Sequence, residues 1–120
     1  MNDIVLHVGY DPAASKARVL DAIRRAEAGV VTPESHVTFE GWDGLSRTLS
    51  GKRLELLRQL RQNAVASIAE LARTLGRDYK RVHEDVEILA VAGLLERSEA
   101  GGVRAIYDEI RTVISLMPAA

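Results

Sequence analysis

The sequence predicts an α+β fold in which a small strand–helix–strand unit precedes three helices and a β-hairpin. Three observations carry this reading. Between Ser50 and Gly93, apolar residues recur at helical spacing three times, each time behind a residue suited to cap a helix. Near the N-terminus, two short β-prone runs (residues 4–8 and 37–40) enclose a single helical pattern. Beyond Gly93, two further β-prone runs are joined by a turn containing Gly101-Gly102.

Taken in order, Ile-Val-Leu-His-Val at 4–8 reads as a strand. Asp11-Pro12 then supplies an N-cap and a first-turn proline, Val19, Leu20, Ile23 and Ala26 follow at helical spacing, and Gly29 stops the helix. Residues 37–40 form the second strand, and 42–49 a short helical connector. Ser50 caps the next helix, whose apolar face is Leu54, Leu56, Leu57 and Leu60. Ser67-Ile68-Ala69-Glu70 fits a capping box, with the Ser67 hydroxyl accepting from an N3 amide and Glu70 reaching back to the cap amide. Ile68, Leu71, Ala72 and Leu75 make the buried stripe of that helix, and Gly76 is the hinge after it. Asp78 caps the third helix; Val82, Val86 and Leu89 share its inward arc, flanked by Tyr79 and Ala90, and Gly93 ends it. Residues 94–97 and 103–107 are the arms of the hairpin, and 110–116 reads as one more strand.

Composition narrows the functional classes. The chain has 120 residues, 47% hydrophobic, enough for one domain with a core or a small domain with an extension. It contains no cysteine, which suits a reducing cytoplasm and removes thiolate metal ligands. No apolar run approaches the roughly 18 residues of a membrane span, and the N-terminus is too acidic for a signal peptide. The net charge of −1 conceals an uneven distribution. Residues 47–83 hold nine Lys or Arg and three acids, net +6, against −3 for 1–46 and −4 for 84–120. A local basic patch, rather than the total, sets the field that a phosphate backbone feels.

That basic segment overlaps residues 67–93, two helices hinged at Gly76: a helix-turn-helix, which lays its second helix in the DNA major groove. Lys80, Arg81 and Glu84 point away from the inward arc at the start of that helix, beside Tyr79. Arg77 in the turn suits a phosphate contact. Glu84 can accept from a cytosine amine, though pairing with Lys80 four residues earlier is the simpler reading. Arg97 and Arg104 flank a hairpin tip, Glu99-Ala100-Gly101-Gly102, that is not itself basic. The candidate DNA contacts are therefore Arg77, Tyr79, Lys80, Arg81, Glu84, Arg97 and Arg104. Ile88 and Val91 also fall on the outward arc, which calls for burial against the N-terminal unit or for a partner.

Three helices followed by a two-stranded wing resemble the winged helix-turn-helix transcriptional regulators related to the MarR and ArsR families. The resemblance covers residues 50–108 and rests on Ser67-x-x-Glu70-Leu71-Ala72-x-x-Leu75-Gly76-Arg77 and Val82-x-x-Asp85-Val86-x-x-Leu89-x-x-x-Gly93-Leu94-Leu95. The whole chain is similar to a small prokaryotic family described as DNA-binding, some of its members antitoxin-like, through Leu49-Ser50-Gly51-Lys52-Arg53 and Leu75-Gly76-Arg77-Asp78-Tyr79. The resemblance implies a cytoplasmic, sequence-specific DNA-binding regulator, dimeric and acting as a repressor, with a toxin as a further partner if it is antitoxin-like. Residues 1–49 would then be a strand–helix–strand unit serving dimer or partner contact, and 50–120 the DNA-binding domain with its C-terminal strand. Long terminal dimerisation helices of the MarR kind and the cysteines of ArsR metal sensors are both missing.

The competing reading is a winged-helix protein-interaction module that does not bind DNA, since fold alone does not determine function. An enzyme is not expected. Ser50-Gly51-Lys52 superficially resembles a phosphate loop, but Ser46 and Arg53 occupy positions where that loop needs Gly and Ser or Thr. His7, His36 and His83 show no ligand spacing, so neither a metal nor another cofactor is expected.

Overall fold

A computed structural model describes residues 2–9, 12–29 and 34–116 and is of the α+β class. Its chain order is β1 (Asp3–Val8), α1 (Pro12–Glu27), β2 (Glu34–Phe39), α2 (Trp42–Thr48), α3 (Gly51–Gln62), α4 (Ile68–Leu75), α5 (Tyr79–Val91), β3 (Glu96–Arg97), β4 (Val103–Arg104) and β5 (Glu109–Ile114). Asp11, the expected cap of α1, lies outside the described residues.

Local side-chain chemistry sets the starts of the later helices. The Ser50 hydroxyl accepts from the Arg53 amide at 3.2 Å, the Ser67 hydroxyl from the Glu70 amide at 3.1 Å and the Asp78 carboxylate from the Arg81 amide at 3.2 Å. Each satisfies one of the donors that a helix N-terminus leaves without an internal partner. The Glu70 carboxylate reaches one residue beyond the expected amide and accepts from Ala66 at 2.9 Å, so the capping box is wider than its usual form. Gly76 takes φ 63° and ψ 36°, the left-handed conformation that ends α4 and that a β-branched residue resists.

β1 is the central strand of a three-stranded sheet, order β2-β1-β5, with both neighbours parallel to it. The last strand therefore does not stay with the helices that precede it. It returns to the N-terminal unit with Ile4 opposite Ile110 and Val8 opposite Ile114. Everything from α2 to β4 is one long crossover between the two strands that flank β1. Where β5 begins, Asp108 donates its amide to the Asn2 carbonyl (2.7 Å), and its carboxylate accepts from the Asn2 amide (3.0 Å) and Arg61 Nε (2.8 Å). The bond from the Asn2 amide, then that from Arg61, holds the Asp108 carboxyl below its ordinary value.

One continuous core joins the sheet to the helices. Ile4, Leu6 and Val8 pack with Leu56 and Leu60 of α3, Leu71 of α4, and Val82, Val86 and Leu89 of α5. The hairpin is shorter than its β-prone residues suggest. Leu94, Leu95 and Ala105 are buried in this core, leaving two ladder pairs, Glu96 with Arg104 and Arg97 with Val103. Val65, after α3, adds an isolated antiparallel bridge to Val103. Ile88 and Val91 are not covered by the N-terminal unit; Val91 is 90% exposed. Val19, Leu20 and Ile23 of α1 are likewise exposed.

Leu71, with no exposed surface, is the most direct test of this packing. Leu71→Ala is expected to lower unfolding free energy by about 2–5 kcal/mol, through lost transfer energy and the cavity left behind. A urea titration measures it, and a wild-type midpoint would show that Leu71 is not in the core.

Candidate nucleic-acid interface

The surface built by α4, its turn and α5 depends on a buried carboxylate. Asp85 lies on the inner side of α5 with 8% of its surface exposed. Its Oδ1 accepts from Arg53 Nε of α3 at 2.9 Å, and its Oδ2 accepts from Arg77 Nη2 of the turn at 2.8 Å. All three side chains are largely removed from solvent, Asp85 at 11% and each arginine at 17%. Arg53 continues the network by donating through Nη1 to the Arg47 carbonyl, near the end of α2. One carboxylate thus ties α3 and the turn to α5, and through Arg53 reaches α2.

Arg77, expected to meet a phosphate, has a partner within the chain. Its fork is turned inward on Asp85, with Nη1 buried, rather than outward to a phosphate. The basic segment also contracts. Of its nine cations, Arg53 and Arg77 neutralise Asp85, and Arg61 pairs with Asp108. Arg47, Lys52, Arg58, Arg73, Lys80 and Arg81 are exposed.

The start of α5 has the predicted outward residues. Tyr79, Lys80, Arg81 and Glu84 are all exposed. No ion pair joins Lys80 to Glu84 among the described residues; on the exposed side of the helix Glu87 lies 3.6 Å from His83 Nδ1. The Tyr79 ring leans on the His83 ring with centroids 5.9 Å apart. In the hairpin, Arg97 is exposed, while Arg104 donates to Glu96 Oε2 from Nε (2.9 Å) and Nη2 (2.6 Å). The hairpin tip is closed by Ser98, whose amide donates to the Gly102 carbonyl and whose hydroxyl accepts from the Gly102 amide. Of the seven candidate contacts, five are exposed and make no ion pair among the described residues: Tyr79, Lys80, Arg81, Glu84 and Arg97. Arg77 and Arg104 are each held by an acid of the same chain.

Asp85 is the residue that sequence reasoning missed, although a signal existed. It falls three residues after Val82 and one before Val86, within the arc that packs inward, and a carboxylate there requires a cation. A second unanticipated pair lies across β1 and β2, where His7 Nε2 and His36 Nδ1 stand 2.8 Å apart with stacked rings. No group of three or more His, Asp or Glu capable of holding a metal occurs among the described residues. A half-open cavity of about 480 Å³ lies between α3 and the segment leading into β5, floored by Leu54, Leu57, Leu94 and Ala105. No helix among the described residues is long and apolar enough to cross a membrane.

Residues 48–112 match the model of a protein family, HVO_A0114. That span runs from the end of α2 into β5 and takes in the Asp85 network, the exposed start of α5 and the hairpin. No curated protein and no solved structure matches the chain.

Asp85→Ala is expected to cost about 3–5 kcal/mol, the scale for breaking a buried pair while leaving its partners charged. Thermal or urea unfolding reads this, and a loss below 1 kcal/mol would mean that the network does not hold the helices.

Proposed function

Taking as premise that this chain belongs to the HVO_A0114 family, we propose that it is a sequence-specific DNA-binding transcriptional regulator built on a winged helix-turn-helix. The family description names no activity, so the reading rests on geometry. One observation carries it: Lys80 and Arg81 stand exposed in the first turn of a helix whose orientation a buried ionic network sets. In this reading α4 and α5 are the helix-turn-helix, α5 enters the major groove by its N-terminal turn, and β3–β4 is the wing. Lys80 and Arg81 meet bases or phosphates, Tyr79 and Glu84 border them, and Arg97 reaches the backbone from the wing. Arg77 positions α5 through Asp85 instead of touching DNA.

The protein acts without catalysis, in the cytoplasm, as a homodimer that occludes a promoter. A single short recognition helix reads few base pairs, and two-fold pairing doubles the readout over half-sites roughly 34–36 Å apart. An antitoxin-like version would add a toxin as a second partner.

A second reading, a winged-helix interaction module that leaves DNA alone, is favoured by a different observation. Val91 on the outward side of α5 is almost wholly exposed, and Arg104 of the wing is neutralised by Glu96. Protein partners bury apolar side chains of this kind, whereas phosphates do not need them.

A mobility-shift assay on the protein's own promoter separates the two. The DNA reading predicts a retarded complex whose log K falls with log salt at about −0.9 per phosphate contact. It also predicts that Lys80→Glu with Arg81→Glu abolishes the complex while the helical circular dichroism is retained. Undiminished affinity in the double variant would overturn this assignment of the interface.

A further inference from the structure

The two edges of the three-stranded sheet differ in character. β2 presents Ser35, His36 and Thr38 along one edge. At the other, the C-terminal half of β5 is apolar and uncovered: Val113 is 50% exposed, Ile114 49%, and Leu116 just beyond it is almost bare. Among the described residues no strand pairs with this side of β5. Its main chain is available as well. The Ser115 amide donates to the Val8 carbonyl at 3.4 Å, which assigns the odd-numbered residues of β5 to the ladder with β1. Ile110, Thr112 and Ile114 then turn their N–H and C=O groups to the open side. Such a row of unpaired groups is a template for another strand, and natural edges usually blunt it with charged side chains, proline or a bulge. Glu109 and Arg111 charge the first half of β5, but residues 112–116 contain no charged residue and no Pro.

We propose that this edge receives a second copy of the chain, two β5 strands pairing antiparallel about a two-fold axis at Val113. The proposal gives the homodimer of the preceding reading its interface, and it does not depend on whether that dimer binds DNA. Side-chain charge and pairing rules select the register. A two-fold axis perpendicular to the sheet must pass through a residue position, because residues facing each other have to share a face of the sheet. An axis at Glu109 or Arg111 sets like charges directly opposite one another, which destabilises a pair; one at Ile110 leaves Val113 and Ile114 beyond the paired stretch, one at Thr112 sets Val113 against Arg111, and one at Ile114 sets Val113 against Ser115. An axis at Val113 sets Val113 against its own copy, Thr112 against Ile114 and Ile110 against Leu116, with Arg111 facing Ser115. No like charges meet, every exposed apolar residue of the edge acquires a neighbour, and the outward main-chain groups of Thr112 and Ile114 bond reciprocally. The result is a continuous six-stranded sheet, order β2-β1-β5-β5-β1-β2, with the two candidate DNA-reading units on either side.

The absence of native cysteine makes a direct test possible. In this register the two Val113 positions form a non-hydrogen-bonded antiparallel pair, with Cα atoms about 4.5 Å apart, within the roughly 4.4–6.8 Å that a disulfide spans. Val113→Cys, oxidised with diamide, is expected to become a covalent dimer rapidly and almost completely. Ile114→Cys places its two thiols diagonally, out of direct opposition, and should cross-link far more slowly. Trp42→Cys, exposed on α2, reports random collisions. Light scattering on the native chain runs in parallel. A mass near twice 13.1 kDa with selective cross-linking at 113 supports the proposal. A dimer mass with Val113→Cys no faster than Trp42→Cys overturns this interface while leaving the homodimer standing. A dimer in which Ile114→Cys reacts faster than Val113→Cys overturns the register, and a monomer mass overturns both homodimer and interface.

Discussion

The geometry of the helical half depends on the Asp85 carboxylate and the two arginines that enclose it. Apolar packing alone can bring α3, α4 and α5 together, because leucine and valine stripes attract without direction. It does not say how far α5 is rotated about its own axis. A carboxylate that must face Arg53 on one side and Arg77 on the other does, since both bonds, at 2.9 and 2.8 Å, form only over a narrow range of helix rotation. The residues displayed on the far side of α5, Lys80, Arg81 and Glu84, are displayed there because Asp85 points inward.

The same network reduces the basic surface that the sequence of this chain, net charge −1, suggests. The counted +6 of residues 47–83 is not all outward field. Part of it compensates buried or bordering acids, and the remainder is concentrated on fewer side chains than the count suggests. The six cations that stay exposed are spread over four helices, Arg47 on α2, Lys52 and Arg58 on α3, Arg73 on α4, and Lys80 and Arg81 side by side at the start of α5. The network also separates two kinds of arginine: Arg53 and Arg77 are bonded inward to Asp85, and Arg81 is exposed. Guanidinium suits the inward role because its planar fork matches a carboxylate and keeps its charge when buried.

How much of this was legible in the sequence depended on the range of the interaction. Ser50, Ser67, Gly76 and Asp78 act on their own or adjacent turns, so their roles could be read from spacing, and the helices begin and end where those residues require. Glu70 misses its expected target by one residue because the box closes on Ala66. The hairpin was legible as a turn but not in length, since Leu94, Leu95 and Ala105 belong to β-prone runs yet are buried in the core outside the ladder. The largest gap concerned β5. Its pairing with β1 joins residues 106 positions apart, and nothing local distinguishes a strand that returns to the N-terminus from one that extends the hairpin. Of the candidate interface, the outward positions on α5 were readable from the 100° period. Arg77 was not, because its partner Asp85 looked like one more acid on a charged helix.

The account stands or falls on whether DNA meets the start of α5 while Arg77 remains with Asp85. A titration of isotope-labelled protein with a promoter duplex, followed by NMR, reads both at once. The amides of Tyr79, Lys80, Arg81 and Glu84 and of the β3–β4 wing should shift progressively as DNA is added, while the Nε–H signals of Arg53 and Arg77 stay in place. Shifts confined to other surfaces, or a large displacement of the Arg77 signal with the α5 amides unmoved, would contradict it.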